Sequence, residues 1–198
     1  MFSNDVFQRL QSGDFRGVQL QNTNWLGLDL RGFDFSQANL SGADMQGLDL
    51  TQAIFVGANL SGANLSRTQL AMADFKEADL RDVVFSHANL TRTSFESTCM
   101  GWADLSYTHL DAAIFAHADL RHCKFRMAKL TRVCMKSTDL GGVNFYGADL
   151  HGARFENVHC YGTRLPNGQQ TSHIEDLETF IKNTKRSNEV KVLANVAR

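Results

Sequence analysis

The sequence lacks any long apolar run. No stretch of its 198 residues approaches the roughly 18 consecutive apolar residues that a membrane-spanning helix needs. Residues 1–9 also lack an apolar segment of the length found in a secretory signal peptide. We therefore expect a soluble, cytoplasmic protein, and secretion by a route that needs no cleaved signal is the open alternative.

Neither sign of charge dominates the chain. The formal net charge is −1, but the charges are unevenly spread. Residues 1–100 contain eleven acidic and seven basic residues, whereas residues 101–165 contain six acidic and eight basic residues. A uniformly acidic or basic surface is thereby excluded, and only the N-terminal half carries net negative charge.

A five-residue period fills most of the chain. Every fifth residue from Leu10 to Leu165 is apolar. An α-helix is excluded, because a step of five residues drifts by about 140° around its axis. The residue two before each apolar centre is mostly small or apolar, which is the same-face spacing of a strand. The remaining two positions carry turn residues, so each pentapeptide predicts a short extended side and a corner.

Residue types sort further at a period of twenty. The column that begins at Leu10 contains only leucine as far as Leu150, and the column that begins at Phe15 contains phenylalanine apart from Met135. Such sorting is expected where residues twenty apart stack directly in a close-packed interior. The pattern predicts four sides per coil and about eight coils over residues 10–165.

Three segments show the repeat most clearly: residues 38–42 (ANLSG), 58–62 (ANLSG) and 148–152 (ADLHG). This motif resembles that of the pentapeptide-repeat proteins. The resemblance implies an all-β solenoid, a right-handed quadrilateral parallel β-helix. Residues 1–9 are predicted to form an N-terminal cap. The motif is specific for the fold and much less specific for function. Some relatives mimic DNA and bind DNA gyrase or topoisomerase IV, giving quinolone or toxin resistance, and others are secreted bacterial effectors.

The register ends at the only proline, Pro166. Residues 166–198 are therefore predicted to form a turn, a helix and a tail. Ser172 and Glu175 have the spacing of a capping box. The apolar face of the helix consists of Ile174, Leu177, Phe180 and Ile181. This face is predicted either to cap the open end of the solenoid or to form a homodimer interface, together with the later apolar residues Val190, Val192, Leu193 and Val196.

Catalytic, metal and cofactor sites are not indicated. Cys123 and Cys160 fall at inward positions, whereas Cys99 and Cys134 fall at outward positions in different columns. The seven histidines do not align with acids into a catalytic group, and the glycines recur at corners instead of forming a phosphate-binding loop. We expect no enzyme activity and no cofactor.

Aspartate or asparagine directly precedes the apolar centre in seventeen repeats. One interpretation is an acidic surface that imitates DNA. The other is that these short side chains hydrogen-bond the adjacent turn backbone, and we favour it because uncharged asparagine occupies the same position.

Outward aromatic and methionine side chains indicate a binding surface better than the charges do. Trp102, Tyr107, Met127, Tyr146 and Tyr161 all fall at corners in the C-terminal half. The basic residues between Arg121 and Lys136 travel around a coil, so direct binding of nucleic acid is not favoured. We predict a scaffold for protein–protein interaction that binds its partner through these five residues, and a type II topoisomerase is the alternative partner.

Overall fold

The computed structural model describes residues 4–183 of the chain. Helix α1 spans Asn4–Ser12. The chain then winds into coils in which isolated parallel bridges join each bridging residue to the one 20 positions later, from Asp14↔Asp34 to Asn144↔Arg164. The bridges fall in four columns, so each coil has four sides, as the periodicity predicts.

Each side of a coil bonds to the coils before and after it. Leu60 N–H donates to the carbonyl of Asp79 at 2.8 Å, and Asp79 N–H donates back to the carbonyl of Ala58 at 2.9 Å. Corners bond in the same way, since Gly62 N–H donates to the carbonyl of Arg81 at 2.9 Å. The backbone is therefore satisfied between coils, which is why such short extended segments are stable.

Regular strands occur near the C-terminal end. Strand β1 (Cys134–Lys136) pairs in parallel with β2 (Arg154–Glu156) in the register Met135↔Phe155. Strand β3 (Thr163–Arg164) pairs antiparallel with β4 (Gln170–Thr171), so the chain reverses after Leu165. Helix α2 covers residues 174–183.

The core is a set of stacked columns. Phe35, Phe55, Phe75, Phe95 and Phe115 form one continuous ladder of nearly parallel rings, with centroids 4.7–5.4 Å apart. The preceding inward position holds mainly alanine, but threonine replaces it at several repeats. The buried hydroxyl of Thr68 donates to the carbonyl of Leu65 at 2.6 Å, and that of Thr93 to the carbonyl of Leu70 at 2.9 Å. A polar residue is therefore accepted in the interior because its hydroxyl is satisfied.

The corners differ from expectation in one respect. The sequence suggests glycine where a corner needs positive φ, but nineteen residues other than glycine adopt positive φ. From Arg67 to Ser137 every corner residue at this position is of this kind, including Trp102 (φ 67°) and Tyr107 (φ 60°). Bonds to the next coil hold this conformation, since Tyr107 N–H donates to the carbonyl of Arg126 at 2.9 Å.

Backbone strain at positive φ predicts that glycine substitutions at two adjacent alanines change the free energy of unfolding in opposite directions. Ala112 has a φ of 58°, whereas Ala113 is fully buried and is not among the positive-φ residues. Ala112→Gly is expected to raise the free energy of unfolding by about 0.5 to 1 kcal/mol, because glycine adopts the left-handed region without steric cost. Ala113→Gly is expected to lower it by about 1 kcal/mol or more. Urea unfolding of both variants measures the difference, and equal signs would contradict the explanation.

The two ends of the coil stack refine the sequence boundaries. Helix α1 runs to Ser12 and includes Leu10, so the stacked columns begin at Phe15 and not at Leu10. At the other end, Leu177 and Ile181 of α2 are buried in the same core, Ile174 packs against it, and Phe180 is half-buried. Just before α2, the hydroxyl oxygen of Thr171 accepts from His173 N–H at 3.0 Å and the hydroxyl donates to Asp176 at 2.6 Å, while the Ser172 hydroxyl of the predicted capping box accepts from Gly162 N–H at 3.5 Å. Val190, Val192, Leu193 and Val196 lie outside the described residues.

Candidate functional site

The five residues predicted to bind a partner are all exposed at corners. Their exposed fractions are 60% for Trp102, 48% for Tyr107, 51% for Met127, 42% for Tyr146 and 81% for Tyr161. Trp102 and Tyr161 belong to one corner, and the other three belong to the next. Tyr161 does not join Trp102, because the glycine pair Gly141–Gly142 separates it from the coil of His122. The five residues therefore form one group of three at the Tyr107 corner and two separate residues, Trp102 and Tyr161.

Two histidines stack on residues of this predicted binding surface. Trp102 stacks on His122 with ring centroids 4.2 Å apart, and Tyr107 stacks on His87 with centroids 5.0 Å apart. Neither histidine is among the five residues predicted to bind a partner. Their spacing of twenty from the aromatic residue is the signal that identifies them, because residues twenty apart stack at corners as well as in the core.

Tyr146 is held between two guanidinium groups. The Cζ of Arg126 lies 5.8 Å from the centre of the Tyr146 ring, and the Cζ of Arg164 lies 5.4 Å from it. Cation–π attraction therefore orients this ring from two coils. Arg126 precedes Tyr146 by twenty residues and so lies one coil away at the same corner, whereas Arg164 belongs to the adjacent side of the solenoid.

Glycines in the following coil leave room for the side chains of His122 and Met127. The ring of His122 lies over Gly142, and the thioether of Met127 lies over Gly147, where a Cβ would collide with each. Both glycines also have positive φ, 68° and 71° respectively. The side chains at these corners thus run along the solenoid axis toward its C-terminal end.

The aspartate and asparagine residues before the centres bond the turns. In all seventeen repeats the side-chain oxygen accepts a hydrogen bond from the backbone N–H two residues later. For example, Ser36 N–H donates to Asp34 at 2.9 Å and Ser61 N–H donates to Asn59 at 3.0 Å. The structural interpretation of these residues is therefore confirmed.

Several arginines are neutralised by an aspartate two residues earlier. Arg81 Nε donates to Asp79 Oδ1 at 2.8 Å, and Arg121 Nε donates to Asp119 Oδ1 at 2.8 Å. These side-chain hydrogen bonds lower the pKa of Asp79 and of Asp119 below the usual range for aspartate. Within the predicted basic run, Arg132 is likewise paired, with Asp111. The run therefore does not act as one block of free positive charge.

In the part of the chain that the structure describes, the histidines, cysteines and acids do not assemble into a metal centre. Within residues 4–183, no group of three or more His, Cys, Asp or Glu side chains could hold a metal ion. Burial raises the pKa of the thiols of Cys123 and Cys160, while Cys99 is exposed. Over the same residues, no helix has the length and apolar character needed to cross a membrane.

A sequence model of pentapeptide repeats matches this chain in eight copies, within segments that extend from residue 14 to residue 167. No curated protein sequence matches it. Among solved structures, it is similar to HetL, a pentapeptide repeat protein involved in heterocyst differentiation regulation in the cyanobacterium Nostoc. HetL is 22% identical over 86% of this chain and 100% of its own length, with a TM-score of 0.53.

Two further similar structures have lower TM-scores. A pentapeptide repeat protein from the thylakoid lumen of Arabidopsis thaliana is 31% identical over 54% of this chain and 68% of its own length, with a TM-score of 0.38. QnrB1, a plasmid-mediated fluoroquinolone resistance protein, is 18% identical over 72% of this chain and 86% of its own length, with a TM-score of 0.40. The structural neighbours that are pentapeptide repeat proteins imply a right-handed quadrilateral β-helix for the four-sided coil. With most of its length matched by the repeat model, this chain belongs to the pentapeptide repeat family.

Proposed function

We propose that this protein is a non-enzymatic, cytoplasmic scaffold that binds another protein through one side of its β-helix. The observation that carries the proposal is the pair of exposed ring stacks, Trp102 on His122 and His87 on Tyr107, at the two edges of the same side. The strand between these corners is about three residues wide, or roughly 10 Å. One partner surface therefore reaches both corners at once.

The chemistry of this side suits a protein partner. Between the two corners its outward residues include Val84, Asp104 and Lys124, which mix an apolar group with both signs of charge. Exposed tryptophan and tyrosine with little freedom to move supply contact area at low entropic cost. Binding through such groups is expected to tolerate salt, unlike binding that depends on surface charge.

Affinity capture from host lysate tests the proposal with two matched double variants. The variant Trp102→Ser, Tyr107→Ser removes one exposed ring from each corner. The control Leu26→Ser, Met72→Ser removes two comparably exposed apolar side chains (52% and 47%) that lie outside this pair of ring stacks. We expect a partner that the intact protein and the control retain and that the first variant loses. With purified components, the first variant is expected to weaken binding about 30-fold or more, and equal binding by all three proteins would contradict the proposal.

A second candidate is a DNA mimic that binds DNA gyrase or topoisomerase IV. The excess of acids in residues 1–100, eleven against seven bases, favours it. A mimic competes with duplex DNA for the topoisomerase, and its affinity falls steeply as salt rises. The mimic would be supported over the aromatic scaffold if the intact protein and both double variants captured a topoisomerase, and if this binding competed with duplex DNA and weakened steeply with salt.

A further inference from the structure

A surface depression lies beside Trp102, and we refer to it as the Trp102 depression. Its volume is about 290 Å³. Its lining consists of Arg81, Asp82, Gly101, Trp102, Asp119, Arg121 and His122. Gly101 leaves it open, since this residue stands between Arg81 and Arg121 in the same corner column. A Cβ at Gly101 would meet only the backbone oxygen of Arg121, at 3.8 Å.

The two arginines that line the depression are already occupied. Each donates from Nε and from Nη2 to its own aspartate, Arg81 to Asp79 and Arg121 to Asp119. Binding an anion would therefore compete with two existing ion pairs. The lining itself carries two carboxylates, Asp82 and Asp119, and two guanidinium groups, and Asp79, which pairs with Arg81 beside the lining, adds a third carboxylate. The depression is thus better suited to a cation.

Asp82 is the carboxylate that remains available. It lies at an exposed corner, and within residues 4–183 its side chain has no hydrogen bond to the protein and no ion pair. Trp102 follows it by one coil in the same corner column. One face of the indole contacts His122, while 60% of the tryptophan surface is exposed. An aromatic face and an unpaired carboxylate therefore border one open space.

We propose that the Trp102 depression binds the guanidinium group of an arginine side chain from the partner protein. The guanidinium stacks on the indole of Trp102 and pairs with the carboxylate of Asp82. Guanidinium is favoured over ammonium because it is planar, stacks on aromatic rings and presents a fork that matches a carboxylate. The same surface already uses this chemistry internally, where Tyr146 lies between Arg126 and Arg164. This inference rests on the proposed function, because it names the group by which the partner recognises the Trp102 corner.

Two-dimensional ¹H–¹⁵N NMR of the full-length protein tests the inference, because the chain has only two indole N–H groups. Trp102 lines the depression, and Trp25 is fully buried with its indole donating to Thr23, so Trp25 serves as the internal reference. The probe is N-acetyl-L-arginine amide, and the neutral analogue N-acetyl-L-citrulline amide is its control. We expect a saturable shift of the Trp102 resonance by the arginine probe and about tenfold weaker binding of the citrulline probe.

Charge at Asp82 is tested with a matched pair of variants. Asp82→Asn is expected to weaken the arginine probe about tenfold without disturbing the fold, because asparagine tolerates positive φ. Glu77→Gln changes a carboxylate at the equivalent position of another corner and is expected to leave binding unchanged. Equal binding of the citrulline probe, of a lysine probe or by the Asp82→Asn variant would overturn the inference. So would a shift produced instead by N-acetyl-L-aspartate amide.

The two proposals fail independently. If the Trp102 and Tyr107 double variant loses the partner but the intact protein does not respond to the arginine probe, only this inference is wrong. If the probe binds as expected but the double variant captures the partner as well as the intact protein does, the proposed scaffold surface is wrong.

Discussion

Deletion of residues 51–70 is expected to leave a shorter protein with the same fold. Each isolated parallel bridge from Asp14↔Asp34 to Asn144↔Arg164 joins residues twenty apart, so the deletion removes one whole coil and joins two equivalent corners. Phe35 would then stack on Phe75 as it now stacks on Phe55. The variant is expected to unfold in a single transition at a lower denaturant concentration, because one set of contacts between coils is lost.

Deletion of residues 51–69 is the matched variant, and it should behave very differently. Retaining one more residue places Asp74 where Phe75 would stack on Phe35, and all later inward positions are shifted in the same way. A shift of one residue turns inward side chains outward, so the coils on either side of the junction no longer match. Far-UV circular dichroism and urea unfolding compare the two deletions. Indistinguishable transitions would contradict the stacking of residues at a spacing of twenty.

Phe95→Ala is expected to lower the free energy of unfolding by about 3 to 5 kcal/mol. Phe95 is fully buried, and its ring contacts those of Phe75, Phe85 and Phe115 at centroid distances of 5.4, 5.9 and 4.9 Å. Truncation leaves a cavity within the ladder, and rigid hydrogen bonds between coils prevent the neighbouring rings from closing it. Urea unfolding with a fixed m-value measures the loss.

Two controls separate this packing effect from a general effect of losing an aromatic residue. Phe95→Met introduces the residue type that the same column holds at Met135, and we expect a loss below about 1.5 kcal/mol. Tyr161→Ala removes a ring that is 81% exposed, and we expect a change within about 0.5 kcal/mol. A loss at Tyr161 as large as that at Phe95 would contradict the assignment of the stability to the inner ladder.

The fold could be predicted because the five-residue and twenty-residue periods of the sequence both indicate the same four-sided coil. The alternation of inward and outward residues defines the sides, and sorting at twenty residues defines the coil, as the bridges confirm. The role of the residues before the centres was also predictable, since short polar side chains bond the next turn at every such repeat. One boundary was less accurate. Leu10 continues the five-residue pattern but lies in α1, because a periodic apolar residue also suits an amphipathic helix.

The candidate site was predictable only in part. Its five exposed residues follow from their corner positions, whereas the two histidines that stack on them were not predicted. Stacking of His122 on Trp102 and of His87 on Tyr107 depends on the side-chain directions at corners where residues other than glycine adopt positive φ. The pairing of Arg81 and Arg121 with aspartates two residues earlier likewise depends on side-chain geometry.

The sequence by itself therefore determined the four-sided coil, its register and the list of outward residues, because a strict period leaves few ways to bury the apolar positions. Only the tertiary structure decided which of those outward residues meet. Residues twenty apart are neighbours at a corner, and residues on adjacent sides meet only through the lengths and directions of their side chains. For that reason the free carboxylate of Asp82 and the exposed ring of Trp102 became a candidate binding site only when the coils were in place.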